Sequence, residues 1–128
     1  MNDIARTMQA SASGMAAQAA RLRLSSENIA NADTPGYHRK LVSFEEVIAG
    51  DTRAVATGPV RLDRTEVQRI HDPNHPLAGD DGYREASNVN MMIEIADARE
   101  ANRSYEANLK MFEQARQMAG SLIDLLRR

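Results

Sequence analysis

The sequence predicts a mainly α-helical fold in which two long terminal helices flank a small β-rich insertion. Apolar residues recur every seven positions in both terminal segments, and all four prolines and five of the seven glycines lie between residues 35 and 82. Because proline and glycine interrupt helices, this distribution divides the 128 residues into an N-terminal helix with its turn (1–36), a middle region (37–87) and a C-terminal helix (88–128). The two helices are expected to form one core domain.

The N-terminal segment is predicted to be a single helix capped by Asn2 or Asp3. Its apolar positions, spaced by seven, are Met8, Met15, Leu22 and Ile29. Pro35 ends this helix, because proline cannot continue a helix and disfavours helical geometry at the residue before it. The prediction is therefore a helix of about 30 residues, roughly 45 Å long.

The C-terminal segment has the same interval of seven, and Asn88 or Asn90 would cap its start. One apolar row comprises Met91, Ala98, Tyr105, Phe112, Ala119 and Leu126, and Ile95, Leu109 and Ile123 form a second. A strict repeat of seven keeps one stripe facing a partner helix. It therefore favours an antiparallel coiled-coil-like pair of terminal helices, and a compact bundle of amphipathic helices is the alternative.

We define the apolar heptad row as the residues predicted to pack the two helices together. It comprises Met8, Met15, Leu22, Ile29, Ile95, Tyr105, Leu109, Phe112 and Leu126. Methionine and alanine pack adaptably but weakly, so neither helix is expected to be very stable alone.

The middle region is predicted to contain short strands and turns. Apolar and polar residues alternate over 41–46 and 60–63, and glycine-containing turn signals occur at 50–51, 58–59 and 79–82. Residues 72–76 contain two prolines and are predicted to be extended or a series of turns. His71 and His75 lie four apart, but the prolines exclude the helix that would bring both rings onto one metal.

Composition excludes several classes of function. The chain has no cysteine, which excludes a disulfide framework, a thiolate zinc site and a cysteine nucleophile. A net charge of -2 and an aromatic content of 4% do not indicate a surface that binds nucleic acid. No nucleophile or phosphate-binding motif occurs. We therefore expect a protein that is not an enzyme and has no cofactor, no metal, no small-molecule substrate, no cleaved leader and no membrane span.

One segment is specific enough to suggest a family. Residues 26–37 have the sequence SENIANADTPGY. They resemble the signature of the bacterial flagellar rod, hook and hook-associated axial proteins. The signature positions are Asn28, Ile29, Ala30, Asn31, Thr34, Pro35, Gly36 and Tyr37. Three further segments, 37–44, 72–83 and 88–108, resemble the short proximal rod members of that family. Met91 departs from the family, which often has proline there, as does Ile70-His71, where an aromatic often precedes Asp-Pro.

The resemblance implies a structural subunit of the proximal flagellar rod, the drive shaft that carries torque from the basal-body rotor to the hook. It implies type III export without a cleaved leader, assembly through the terminal helices, and a location in the periplasm-spanning basal body. The implied partners are further copies, other rod proteins including the distal ones, an adaptor near the MS ring and export gate, and the export apparatus. The alternatives are another short rod component or a soluble coiled-coil adaptor or chaperone.

The signature turn and the helix rows each have two interpretations. Pro35 and Gly36 would fix the angle at which the chain leaves the helix, with Tyr37 as a packing anchor; the alternative is a plain helix stop. Residues of the apolar heptad row would pack on each other, with Tyr105, Leu109 and Phe112 against Met15, Leu22 and Ile29. The alternative is that these side chains face other subunits.

Overall fold

Two long antiparallel helices and a small β-containing region make up the computed structural model, which describes residues 2–128. Helix α1 spans Asn2–Ala30 and helix α2 spans Met91–Leu126, and they pack along each other. The predicted fold class, mainly α with a small β-rich insertion between terminal helices, is confirmed. Within residues 2–128, neither helix has a stretch long and apolar enough to cross a membrane.

The ends of both helices follow from local sequence chemistry. The first turn after α1 is closed by the Asn31 N–H, which donates to Glu27 O at 3.1 Å, and Pro35 follows. At the other helix, Asn90 is the N-cap and its side-chain oxygen accepts from the N–H groups of Met92 and Ile93 at 3.0 and 3.3 Å. These bonds satisfy donors that the start of a helix leaves unpaired.

The middle region contains three separate two-stranded antiparallel ladders. The strands are β1 (Lys40–Leu41), β2 (Phe44–Ala49), β3 (Thr52–Thr57), β4 (Arg61–Leu62), β5 (Arg69–His71) and β6 (Tyr83–Glu85). Strand β1 pairs with β4, β2 with β3, and β5 with β6. The β2–β3 hairpin turns at Gly50, whose φ of 62° suits glycine, and β3 packs against α1, where the Val55 N–H donates to Ser13 Oγ at 3.0 Å.

Most of the buried residues of the two helices are small or polar. The buried residues are Ser11, Gly14, Ala17, Leu24, Ser25 and Asn28 on α1, and Glu94, Ala101 and Ala115 on α2. A Cβ placed on Gly14 would lie 2.9 Å from the Asn108 side chain. The Asn108 side chain of α2 therefore occupies the space beside Gly14, and the absence of a Cβ at Gly14 leaves room for it.

Candidate functional site

The signature segment leads to a buried polar junction that joins α1, α2 and the middle region. Its centre is Asn28 on α1, which is 1% exposed. The Asn28 Oδ1 atom accepts from the Tyr37 hydroxyl and from the Lys40 N–H, both at 2.9 Å. Its Nδ2 atom donates to Lys40 O at 3.0 Å and to Glu94 Oε1 at 3.3 Å. One side chain thus uses all four of its hydrogen-bonding positions to connect three parts of the fold.

Opposite charges extend this junction along the helix pair. Glu94 on α2 is 0% exposed, and its Oε1 atom accepts from Arg39 Nε. Arg39 also donates to Asp97 at 2.9 Å, and Arg21 of α1 donates to the same Asp97 side chain at 3.3 Å. Removing one partner of a buried ion pair leaves an uncompensated charge, which is strongly destabilising. We call this row of ion pairs the charge ladder. Its charges are all paired only when the two helices are correctly aligned.

A second amide, Asn88, ties the middle region to the start of α2. Its Oδ1 atom accepts from the Arg39 N–H at 2.6 Å. Its Nδ2 atom donates to the carbonyl oxygens of Asp63 and Thr65, each at 3.0 Å. The Asn88 N–H donates to Tyr37 O at 3.2 Å. The chain leaving α1 and the chain entering α2 are thus held side by side.

The turn between these groups has a backbone that only a few residues can adopt. Gly36 has a φ of 71°, and its N–H donates to Ala86 O at 3.0 Å. The Thr34 hydroxyl donates to Asn31 Oδ1 at 3.1 Å, and Ser87 Oγ donates to Ala32 O. Of the eight signature positions, Asn28 is buried, Ile29, Asn31 and Tyr37 are half-buried, and Ala30, Thr34, Pro35 and Gly36 are exposed.

The apolar heptad row lies beside the most buried positions. Its members Met8, Met15, Leu22, Ile29, Tyr105 and Phe112 are half-buried, whereas Ile95, Leu109 and Leu126 are exposed. On α1, Met15 follows the buried Gly14 by one residue, and Ile29 follows the buried Asn28 by one residue. The apolar heptad row therefore lies on one side of the contact between the helices. The hairpin packs on α1 from the other side, at Ser13. We call the side that carries the apolar heptad row the outer flank.

The histidines considered as a metal pair have other neighbours. The ring of His71 packs edge-on against Tyr83 with centroids 4.9 Å apart, and His75 Nδ1 accepts from the Leu77 N–H at 3.1 Å. Within residues 2–128, no three His, Cys, Asp or Glu side chains are grouped as a metal site requires.

Comparison with known proteins places this architecture in a family. Residues 8–38 match the family model described as flagella basal body rod protein, and residues 80–125 match flagellar basal body rod FlgEFG protein C-terminal. The flagellar basal-body rod protein FlgC of Agrobacterium fabrum is 40% identical over 136 aligned positions, covering 99% of this chain and 98% of that protein. The chain belongs to the FlgC family of flagellar basal-body rod proteins. FlgC of Aquifex aeolicus is 37% identical, covering 88% of this chain and 89% of that protein. FlgC of Salmonella typhimurium is 31% identical, with coverage of 83% and 85%.

The two segments that the family models match come together at the polar junction. The first matched segment contains Asn28 and Tyr37, and the second contains Asn88 and Glu94. The polar junction is therefore built by side chains from both matched segments, together with Arg39 and Lys40 just beyond the first match.

We expect the Gly36 conformation to matter for stability in this FlgC-family protein. Gly36→Ala places a Cβ in a left-handed conformation and should lower the free energy of unfolding by about 1–2 kcal/mol. The nearest atom to that Cβ is 3.8 Å away, so the loss would come from backbone strain and not from a clash. Urea unfolding followed by circular dichroism measures it. Gly36→Asn should lose less, because asparagine tolerates this region; equal stability of the wild-type and alanine proteins would contradict the prediction.

The junction also predicts a response to alkaline pH. Burial raises the pKa of Tyr37 above its usual value of 10.0, and the hydrogen bond from Lys40 to Glu27 raises the pKa of Lys40 above 10.5. Both groups hold their protons more tightly in the folded state, so their contribution is present below about pH 10 and is lost as the pH rises further. Stability measured from pH 8 upward should therefore fall above about pH 10. Tyr37→Phe should make that fall shallower, and an unchanged slope would refute the assignment.

Proposed function

We propose that this structural subunit of the flagellar rod serves in the proximal rod, where it transmits torque from the basal-body rotor to the hook. The observation that carries the proposal is the polar junction. Its bonds from Asn28, Arg39 and Asn88 hold both helices and the middle region in one relative orientation. A part that carries torque needs such fixed orientation, because a loose turn would let the middle region rotate about the helix pair.

The outer flank supports assembly with other rod and basal-body proteins through the terminal helices. Leu109 is 37% exposed and Ile95 41% exposed, and both repeat at the heptad interval. Large apolar side chains in a regular row on a surface mark a protein contact. We propose that part of the apolar heptad row packs within the subunit and that Ile95 and Leu109 contact neighbouring subunits in the rod.

The composition of the helix contact supports export as an incompletely folded chain. Small and polar residues such as Ser11, Gly14 and Ser25 bury little apolar area, so the helix pair gains part of its order on joining neighbours. We propose type III export and a location in the periplasm-spanning rod, next to other rod proteins. An adaptor at the MS ring and the distal rod proteins are the partners that this position implies.

Electron microscopy of basal bodies from a strain lacking this gene tests the function. Absence of rod, hook and filament, restored by the gene, is the expected result. Intact basal bodies would instead favour a soluble coiled-coil adaptor or chaperone.

The outer flank is tested by Leu109→Asp in that strain. A charge at this exposed position should prevent incorporation into the rod while the protein is still exported, since the substitution does not touch the polar junction. Asn102→Asp is the matched control, because it lies seven residues earlier on the same row and is already polar. If the Leu109→Asp protein assembles as the wild type does, the outer flank is not part of the interface.

A further inference from the structure

The turn between β5 and β6 contains the one Asp-Gly step of the sequence, Asp81–Gly82. It lies in the segment 79–82, which the sequence predicts as a turn and to which the proposed rod function assigns no role. In an Asp-Gly step, the side-chain carboxyl carbon can close a five-membered ring with the next backbone nitrogen. Glycine has no side chain to hinder this approach, so Asp-Gly is the aspartate step most prone to ring closure.

Ring closure converts the aspartate to isoaspartate in two steps. The Gly82 nitrogen bonds to Asp81 Cγ, and the hydroxyl of the protonated carboxyl leaves as water together with the amide proton. Water then adds to the imide, and the bond between the nitrogen and the Asp81 main-chain carbonyl carbon breaks. One water is lost and one is gained, so the composition of the chain is unchanged while its backbone lengthens by a methylene group.

The folded turn opposes this reaction at both reacting groups. The Gly82 N–H donates to Gly79 O at 3.0 Å, which engages the nucleophile. Asp81 Oδ1 accepts from the Tyr83 N–H at 3.1 Å, and Oδ2 accepts from Arg69 at 2.8 Å. The Tyr83 N–H, and after it Arg69, hold the pKa of the Asp81 carboxyl below its usual value of 3.8. The carboxyl is therefore ionised at neutral pH, when ring closure needs it protonated and free to turn.

Arg69 holds the Asp81 carboxylate from the opposite strand. Its guanidinium carbon also lies 5.5 Å from the centroid of the Tyr83 ring, so the side chain is positioned by two groups. Glu85 pairs with Arg69 across the ladder and lines the same cleft, but the Arg69 hydrogen bond goes to Asp81. The side chains of Arg69 and Asp81 are 61% and 53% exposed, and an exposed ion pair contributes little to global stability. Removing Arg69 should therefore free the carboxylate without unfolding the chain.

Isoaspartate at this position would disturb the hairpin. The Asp72 N–H donates to Gly82 O at 2.9 Å. Tyr83 pairs with His71 across the ladder, and their ring centroids lie 4.9 Å apart. An additional backbone methylene at Asp81 shifts one strand relative to the other, so these contacts cannot all be kept.

We propose that Asp81–Gly82 is an isomerisation site of this chain, reactive while the hairpin is open and protected while it is folded, with Arg69 as the protecting side chain. Reaction in the folded protein requires local opening, so its rate follows the fraction of time that the turn is open. The inference goes beyond the proposed function and does not depend on it, because it concerns the chemistry of the hairpin alone.

Isoaspartate formation in the purified full chain tests the site. Wild-type protein is incubated at neutral pH, folded or in guanidinium chloride; an isoaspartyl methyltransferase then labels the product, and mass spectrometry of the digested chain locates the label. The product should form at Asp81 at least about tenfold faster in guanidinium chloride, because the folded turn is closed most of the time. Asp81→Glu should abolish it, since the longer side chain closes a six-membered ring far less readily. Equal rates in the two states, or product at other aspartates only, would overturn the proposal.

Arg69→Gln tests the protecting side chain. The folded variant should form isoaspartate at least about threefold faster than the folded wild type, and at the wild-type rate in guanidinium chloride. Arg84→Gln is the matched control, because Arg84 lies in the same hairpin and pairs with Asp72 at 3.4 Å, and the proline after Asp72 has no N–H for ring closure. Circular dichroism verifies that both variants fold. If the folded Arg69→Gln protein reacts as slowly as the wild type, or if Arg84→Gln reacts as fast as Arg69→Gln, Arg69 does not protect the step.

Discussion

Asn28→Leu is expected to lower the free energy of unfolding by about 3–5 kcal/mol, since several buried groups lose their partners at once. Leucine has a similar size but cannot accept from Tyr37 and the Lys40 N–H or donate to Lys40 O and Glu94. Burying an unpaired polar group costs about 1–3 kcal/mol, and the Glu94 carboxylate would keep only its bond from Arg39. Urea unfolding of the purified chain, followed by circular dichroism, measures the loss.

Two further variants show whether the loss arises from the junction. Asn102→Leu replaces an exposed asparagine of α2 and should change stability by less than about 0.5 kcal/mol. Asn28→Asp keeps the acceptor but places a second carboxylate beside Glu94, so adding Glu94→Gln should recover part of the loss. If Asn28→Leu costs less than about 1 kcal/mol, the junction does not hold the fold together.

The helices were predictable because their signals are local. Proline and glycine are absent or rare in both terminal segments, and Pro35 and Asn90 end or cap a helix through their own chemistry. The contact between the helices is different. It depends on which residues of α2 stand opposite Gly14, and this register is set by partners about 90 positions away along the chain. If the largest apolar residues are assumed to be the buried ones, the sequence predicts Met15 and Leu22 in the contact. In the structure these two residues are only half-buried, and Met15 lies one position after the buried Gly14.

The polar junction was only partly predictable for a related reason. The resemblance points to Asn28 and Tyr37, and the start of α2 points to Asn88 as a candidate helix cap. Glu94 is not among the predicted site residues, although the sequence carries one signal for it: it is a single acidic residue between Ile93 and Ile95 after two methionines. A charge within an apolar run near a helix start is unusual for a solvated face and indicates a buried partner. The identity of that partner, Arg39, required the structure.

Gly14→Val is the second substitution with a large expected effect, because a side chain at this position would meet the Asn108 side chain of the facing helix. The Cβ alone would lie 2.9 Å from the amide atoms of Asn108, and two further methyl groups would force the helices apart or distort their side chains. Overpacking of this kind costs about 1–3 kcal/mol. Since the charge ladder needs the same alignment, strain at Gly14 would also weaken the pairing of Arg21 with Asp97.

A control and a rescue make this prediction decisive. Gly120→Val, where nothing lies within 4 Å of the new Cβ, should be neutral or slightly stabilising, because valine favours helix over glycine by a few tenths of a kcal/mol. Combining Gly14→Ala with Asn108→Ala removes the obstructing amide and adds two good helix formers, so this double variant should be at least as stable as the wild type. Urea unfolding ranks the wild type, Gly14→Val, Gly120→Val, Gly14→Ala and the double variant. If Gly14→Val is as stable as Gly120→Val, the space beside Gly14 does not limit the packing of the helices. If the double variant is less stable than Gly14→Ala alone, Asn108 contributes a contact that outweighs the steric conflict.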